Sequence, residues 1–230
     1  VGDQTDGADG SVVLHDVTVC YGRRIALDSV SGRFAPGSLT AVVGANGAGK
    51  STLIAAITGA VRLTAGSIEV AAPERLAWLP QISGVERDFP ITIAELITVG
   101  AWQQFGAFRA PGEAVRARLT QAAATVGLTE KLDRRISQMS VGELQRALFA
   151  RLMLQDAAVI LLDEPFAAVD SETIAMLLDQ VMQWHEQGRT VIAVLHDLEM
   201  VRRWFPSATV LARRCLAWGA TETALKALNA

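Results

Sequence analysis

Residues 44–52 read Gly44-Ala45-Asn46-Gly47-Ala48-Gly49-Lys50-Ser51-Thr52, the pattern G-x-x-x-x-G-K-[ST]. The apolar run Leu39–Val43 precedes it and the helix-like run Leu53–Ile57 follows, so the pattern sits between strand and helix. The glycines let successive backbone N–H groups curl inward toward phosphate oxygens. The opening of the following helix adds free N–H groups and a positive dipole end. Lys50 is spaced to reach the β- and γ-phosphates, and the Ser51 hydroxyl to ligate Mg²⁺. The stretch predicts a nucleoside triphosphate site.

Other residues have types that could serve such a site. Ala157–Leu162 is a short continuous apolar run, the pattern of a strand buried on both faces. It ends in Asp163-Glu164, where the first carboxylate can hold Mg²⁺ through water and the second can orient or deprotonate an attacking water. Thr190–Leu195 is a β-branched strand ending in His196, which could hydrogen-bond a γ-phosphate. Gln81 follows the strand Arg75–Pro80, which Pro80 closes, at the end where α/β sheets hold ligands, although most glutamines are simply solvated. Ser140 and Glu143 have the spacing of a capping box, and the same helix start could equally receive an anion. Tyr21, the only tyrosine, lies at a hairpin end, where its ring either stacks on a purine or packs on the sheet.

The elements that must hold these groups alternate in type. Val12–Cys20 and Ile25–Phe34 predict a β-hairpin turning at Gly22, and Pro36-Gly37 turns into the strand before the phosphate loop. Thr64-Ala65-Gly66 reads as a turn and Ser67–Val70 as a short strand. From Ile91 to about Leu128 the pattern is helical. Ile93, Leu96 and Ile97 share a face, and Pro111-Gly112-Glu113 opens a helix that Gly127 ends. A helical lobe over approximately 88–155, inserted into an α/β domain, follows. Its aromatics Trp102, Phe105 and Phe108 form either the lobe's core or a docking surface. Leu144–Gln155 and Ser171–Gln187 predict long helices, Ala208–Trp218 two short strands and Thr221–Leu228 a closing helix.

The chain has 230 residues, half of them apolar, enough for one large domain or two small ones. A net charge of −3 argues against nucleic acid as a partner. Cys20 and Cys215 make neither a disulfide framework nor a metal motif, which fits a reduced compartment. No apolar run reaches the roughly 18 residues of a membrane span, so any membrane role is expected to come through a partner. Residues 1–10 are polar, lack the features of a signal peptide and are expected to be disordered. His15 and His185 are expected at the surface.

Taken together, residues 11–228 resemble the ATP-binding subunit of ABC transporters, with several motifs in that family's order. Tyr21 is similar to the adenine-stacking aromatic and Gly44–Thr52 to the Walker A loop. Gln81 is similar to the glutamine that touches Mg²⁺ and the attacking water, and Val159–Glu164 to Walker B with the catalytic glutamate. Asp170 and His196 are similar to the D-loop aspartate and the switch histidine. Met139-Ser140-Val141-Gly142-Glu143 stands where the family usually has Leu-Ser-Gly-Gly-Gln. Ser140 and Gly142 are kept, and Val141 is tolerable there only with a negative φ.

The resemblance implies a P-loop NTPase core with a mixed central sheet, an N-terminal antiparallel β subdomain and an inserted α-helical subdomain. It implies ATP and Mg²⁺ as ligands, and a second copy of the chain closing over two ATP molecules with each signature helix on its partner's phosphate loop. Glu164, His196, Gln81 and Lys50 would carry catalysis, and Ser51, Gln81 and Asp163 would hold Mg²⁺. An integral-membrane permease, and through it a solute-binding protein, would be the further partners, at the cytoplasmic face of the bacterial inner membrane. The stretch Asp88–Glu95, with Gly100 and Phe105–Arg109, and the short C-terminus look like the ATPases of zinc, manganese and iron importers, zinc foremost. The alternatives are an ABC ATPase of iron–sulfur cluster assembly or a non-hydrolysing regulatory nucleotide binder. The short interval between Gln81 and Ser140 leaves no room for the coiled coil of DNA-repair relatives.

Overall fold

The computed structural model describes residues 10–106, 110–167 and 169–228. They fall into two compact units, one holding the chain up to Trp78, Ala158–Glu164 and the chain from Trp184, the other holding Leu79–Ala157 and Pro165–Gln183. The expectation for residues 1–9, together with Phe108 and Arg109, lies outside the described residues. Gly10, the last residue of the stretch expected to be disordered, is buried, and its carbonyl accepts a 2.6 Å bond from the Thr190 hydroxyl.

The first unit contains two sheets. Strands β1 (Val12–Tyr21) and β2 (Arg24–Phe34) form the expected antiparallel hairpin, and β4 (Ala65–Val70) pairs with the other edge of β1, giving the order β2-β1-β4. The six-stranded sheet has the order β5-β6-β7-β3-β8-β9, from β3 (Leu39–Val43), β5 (Leu76–Leu79), β6 (Val159–Asp163), β7 (Thr190–Val194), β8 (Ser207–Ala212) and β9 (Arg214–Ala220). β6-β7-β3-β8 run parallel and β9 closes the edge antiparallel. The parallel strands β3, β6 and β7 are buried at every position, which is why their sequences are continuous apolar runs rather than alternations.

Helix α1 (Lys50–Ile57) follows the phosphate loop and packs Leu53, Ile54 and Ile57 into a core that includes Val17, Leu27, Phe34, Val42 and Leu161. Phe34 meets Trp218 at 4.5 Å between ring centroids, and that ring fills the space a side chain on Gly32 would need.

The turn expected at Thr64-Ala65-Gly66 is corrected, because Ala65 and Gly66 already belong to β4. Gly66 has φ +82°, and a Cβ there would lie 2.3 Å from the His15 carbonyl oxygen. The pairing of β1 with β4 shifts register between His15 and Thr18. The glycine therefore marks a bulge where two backbones nearly touch, and bulges and turns both select glycine.

The second unit is helical. Helix α2 (Ile93–Thr98) buries Ile93, Leu96 and Ile97 as the spacing predicts, with Thr92 and Glu95 forming a complete capping box. Then come α3 (Trp102–Phe105), α4 (Glu113–Thr125) and α5 (Val141–Leu154). Helix α5 is central, buries Leu144, Leu148, Phe149 and Leu152, and packs on both α2 and α4. Gly100 is forced by this packing, since a Cβ would sit 2.0 Å from the Arg151 carbonyl oxygen.

Trp102 is 49% exposed, so its ring is not in the lobe's core, and it stands edge-on to half-buried Phe105 at 5.9 Å. Helix α6 (Ser171–Glu186) runs from this unit into the first. Helices α7 (Leu198–Trp204) and α8 (Thr221–Ala224) complete the first unit. His15 is exposed as expected, whereas His185 is half-buried with Nδ1 enclosed and without a hydrogen-bond partner among the described residues.

Candidate functional site

The site grows from strand order. β6, β7 and β3 are successive parallel neighbours, so their C-terminal ends lie side by side, the edge where α/β sheets assemble ligand sites. The phosphate loop leaves β3, Asp163 ends β6 with Glu164 next, and His196 follows β7.

Within the loop, Gly44, Gly47 and Gly49 have φ of +152°, +77° and +98°. Gly49 caps α1 in the left-handed region, and no side chain caps this helix. The N–H groups of its first turn therefore lack intrahelical acceptors and are available to an anion. Lys50 is 6% exposed, and its Nζ donates to the carbonyls of Gly44 at 2.9 Å and Ala45 at 3.0 Å. Burial lowers its pKa, and the charges of Glu164 and Asp163 act against that shift. The ammonium thus braces the loop from inside.

The Ser51 hydroxyl donates to Asp163 Oδ1 at 3.1 Å across 112 positions of sequence. Burial pushes the Asp163 carboxyl above its ordinary range, opposed by that hydroxyl. Glu164 has φ +52° in a non-glycine residue, and its N–H donates to the Val194 carbonyl at 3.2 Å. A left-handed glutamate at a strand end is strained backbone of the kind found at functional sites. His196 Nε2 is 2.6 Å from Glu164 Oε1.

Tyr21 is 52% exposed, so its ring does not pack on the sheet. It lines a cleft of about 240 Å³ together with Asn46, Gly47, Gly49, Lys50, Ser51, Thr52 and Glu164. Arg24 and Ala26 line the same cleft. The sequence signal for Arg24 is the pair Arg23-Arg24, one glycine beyond Tyr21, whereas nothing in the sequence marks Ala26.

The remaining candidates belong to the second unit. Gln81 is half-buried and precedes a short 3-10 turn, Ile82–Gly84. Ser140 is the N-cap of α5, with the capping box complete: its Oγ accepts from Glu143 N–H at 3.2 Å and its N–H donates to Glu143 Oε2 at 2.8 Å. Val141 is the first helical residue and is absent from the positive-φ residues, so its branched side chain is tolerated. Among the described residues Gly142 meets only Val169 Cγ1, at 3.7 Å from an added Cβ, and none of them demands a glycine there. Gln145 anchors the helix by donating to the Pro165 carbonyl at 2.6 Å. Asp170 caps the next helix, accepting from Thr173 N–H at 2.8 Å and from its hydroxyl at 2.9 Å, which holds its carboxyl below the ordinary range.

Comparison with known proteins agrees with this arrangement. The family described as "ABC transporter" matches residues 27–167. The zinc transport system ATP-binding protein TroB of Treponema pallidum is 36% identical over 93% of this chain and 83% of its own. The manganese transport system ATP-binding protein MntB of Bacillus subtilis is 34% identical over 92% of this chain and 87% of its own. Among solved structures, a nucleotide-free ATP-binding cassette from an ABC transporter superposes with a TM-score of 0.80 over 95% of both chains at 20% identity, a likeness of fold. With a family match over most of its length and relatives this similar nearly end to end, the chain belongs to the ABC transporter family as an ATP-binding domain.

Proposed function

We propose that the chain hydrolyses MgATP to drive a membrane permease that imports a divalent transition metal, zinc first and manganese second. The observation that carries the catalytic part is the Glu164–His196 contact, 2.6 Å long, in the unit that also holds the phosphate loop. The cargo rests on TroB and MntB, whose similarity spans nearly the whole chain.

In this reading adenine stacks on Tyr21 and the phosphates lie along residues 44–52. Lys50 exchanges its carbonyl partners for phosphate oxygens, and the first-turn N–H groups of α1 complete the cradle. The Ser51 hydroxyl and Asp163 carboxylate, already in contact, are hard oxygen donors of the kind Mg²⁺ prefers. Ser51 would hold the ion and Asp163 would act through water, and the bound ion would neutralise charge on the phosphates. The Glu164 carboxylate accepts a proton from the attacking water, and the single Nε2–H of His196, which directs that carboxylate before nucleotide arrives, turns to the γ-phosphate once nucleotide is bound. Gln81 carries a proposed role as Mg²⁺ ligand and water sensor on the resemblance alone.

Two copies would close over two ATP molecules, each signature helix meeting the other copy's γ-phosphate. Gly142 supports this: no neighbour among the described residues requires a bare backbone there, which leaves room for the close approach of a ligand. The same reading gives Asp170 a place at the interface between copies. Among the described residues no helix is long and apolar enough to cross a membrane. In this reading the chain is held through the permease, on the cytoplasmic face. A solute-binding protein would deliver the metal outside. In this reading cargo selection falls to those partners.

The test is phosphate release by the chain with its membrane partner, alongside uptake of radiolabelled zinc and manganese into vesicles. Uptake that requires ATP and stops with Glu164→Gln is expected. ATP binding without phosphate release in the complete transporter would overturn the reading.

A further inference from the structure

The cap of α5 contains a side chain from outside the helix. Lys131 Nζ lies 2.5 Å from Glu143 Oε1, while Glu143 Oε2 accepts the Ser140 N–H. One carboxylate thus joins Lys131 to the first residue of the cap. Lys131 is itself held: its N–H donates to the carbonyl of fully buried Leu128, and its own carbonyl accepts from Arg134 N–H. The pair is largely shielded, Glu143 more than Lys131, with side chains 16% and 34% exposed.

A carboxylate in the first turn stabilises a free helix, because it faces the positive end of the dipole. It is a liability where that same end must receive an anion, since like charges repel and the helix field is partly cancelled. Lys131 resolves the conflict by neutralising Glu143 and holding it on the Ser140 N–H.

We infer that Lys131 is a positioning residue for the ATP-closed pair of subunits. It keeps the Glu143 carboxylate in the Ser140 cap and balances its charge, so the start of α5 still attracts the phosphate of a second copy. The inference rests on the assignment of α5 to the other copy's γ-phosphate, made above.

The experiment measures ATP-driven dimerisation of the full chain by sedimentation velocity, in a Glu164→Gln background that retains nucleotide. Lys131→Met is expected to weaken dimerisation about tenfold or more, because Glu143 becomes an unpaired charge beside a phosphate. Lys131→Arg should keep it. Lys131→Met combined with Glu143→Gln should recover it to within about threefold, since the amide oxygen still caps Ser140 and carries no charge. A merely structural lysine would instead lower the melting temperature in both Met variants without recovery of the dimer. Dimerisation unaffected by Lys131→Met, or a defect that Glu143→Gln does not relieve, overturns the inference. If the background protein binds ATP but never dimerises, even with its membrane partner, the assignment of α5 fails first and the inference falls with it.

Discussion

Nε2 of His196 lies 2.6 Å from Oε1 of Glu164, and the two residues follow strands that are hydrogen-bonded neighbours. The contact gives the glutamate one defined direction at a point where its backbone is already strained, at φ +52°. With an ionised glutamate, Nε2 carries the proton of this bond, which makes the imidazole a donor at the end of the phosphate loop's sheet. Under the proposed assignment of Glu164 as the base, a carboxylate held this way is preorganised before any ligand arrives.

Substituting either partner separates binding from turnover. Glu164→Gln should lower phosphate release by about 10²–10⁴-fold, and His196→Ala should lower it by a smaller factor. Equilibrium binding of ATP should be unchanged in both, as measured with a fluorescent analogue. Loss of nucleotide affinity in Glu164→Gln would contradict its assignment as the base.

Gly49→Ala tests the loop. A Cβ at this φ of +98° would sit 2.5 Å from the Ala26 carbonyl oxygen and 2.7 Å from Leu27 Cδ2. The expected cost is about 1–3 kcal/mol of strain, seen as a lower melting temperature together with lost ATP binding. Gly22→Ala controls for composition, having φ +61° but open space around it, and should retain ATP binding.

Tyr21 should respond as a stacking platform. Tyr21→Ala is expected to weaken ATP binding by about 1–3 kcal/mol, the range for a base on an aromatic ring, and Tyr21→Trp to preserve it. Equal affinity of Tyr21→Ala and wild type in calorimetry would return the ring to an ordinary exposed aromatic.

Acid stability should report on the cap of α5. The Lys131 ammonium, with the Ser140 N–H, holds the Glu143 carboxyl at about 2 against 4.5 for the free group. A depressed folded pKa favours folding above the unfolded value and loses that contribution as pH falls through the folded one. The excess stability of wild type over Glu143→Gln should therefore be constant above about pH 5 and disappear between about pH 4.5 and 2. Melting temperatures across that range are the measurement, and a constant difference down to pH 2 would exclude the linkage.

What the sequence determined by itself is local. The phosphate loop is nine consecutive residues whose backbone conformation is encoded in its glycines, and Gly44, Gly47 and Gly49 adopt the positive φ their type allows. Ser140 and Glu143 form the capping box their spacing predicts, because a first helical turn is complete within four residues. The buried parallel strands are legible for a similar reason, since a strand covered on both faces must be apolar throughout. Even so, Gly66 carries a turn signal in the sequence while its constraint in the fold is the carbonyl oxygens of His15 and Asp16 on another strand.

Only the tertiary structure decided which distant groups meet. Ser51 with Asp163, Glu164 with His196, Lys131 with Glu143 and Arg24 with the loop's cleft all depend on strand order or on turns anchored elsewhere. A parallel sheet joins its strands through crossovers that can insert anywhere along the chain, so adjacency at its carboxyl edge follows spatial order rather than sequence distance. The chemistry of each residue could be read one position at a time, whereas the Ser51–Asp163 and Glu164–His196 pairings arise from burying β3, β6 and β7 as neighbours in a single sheet.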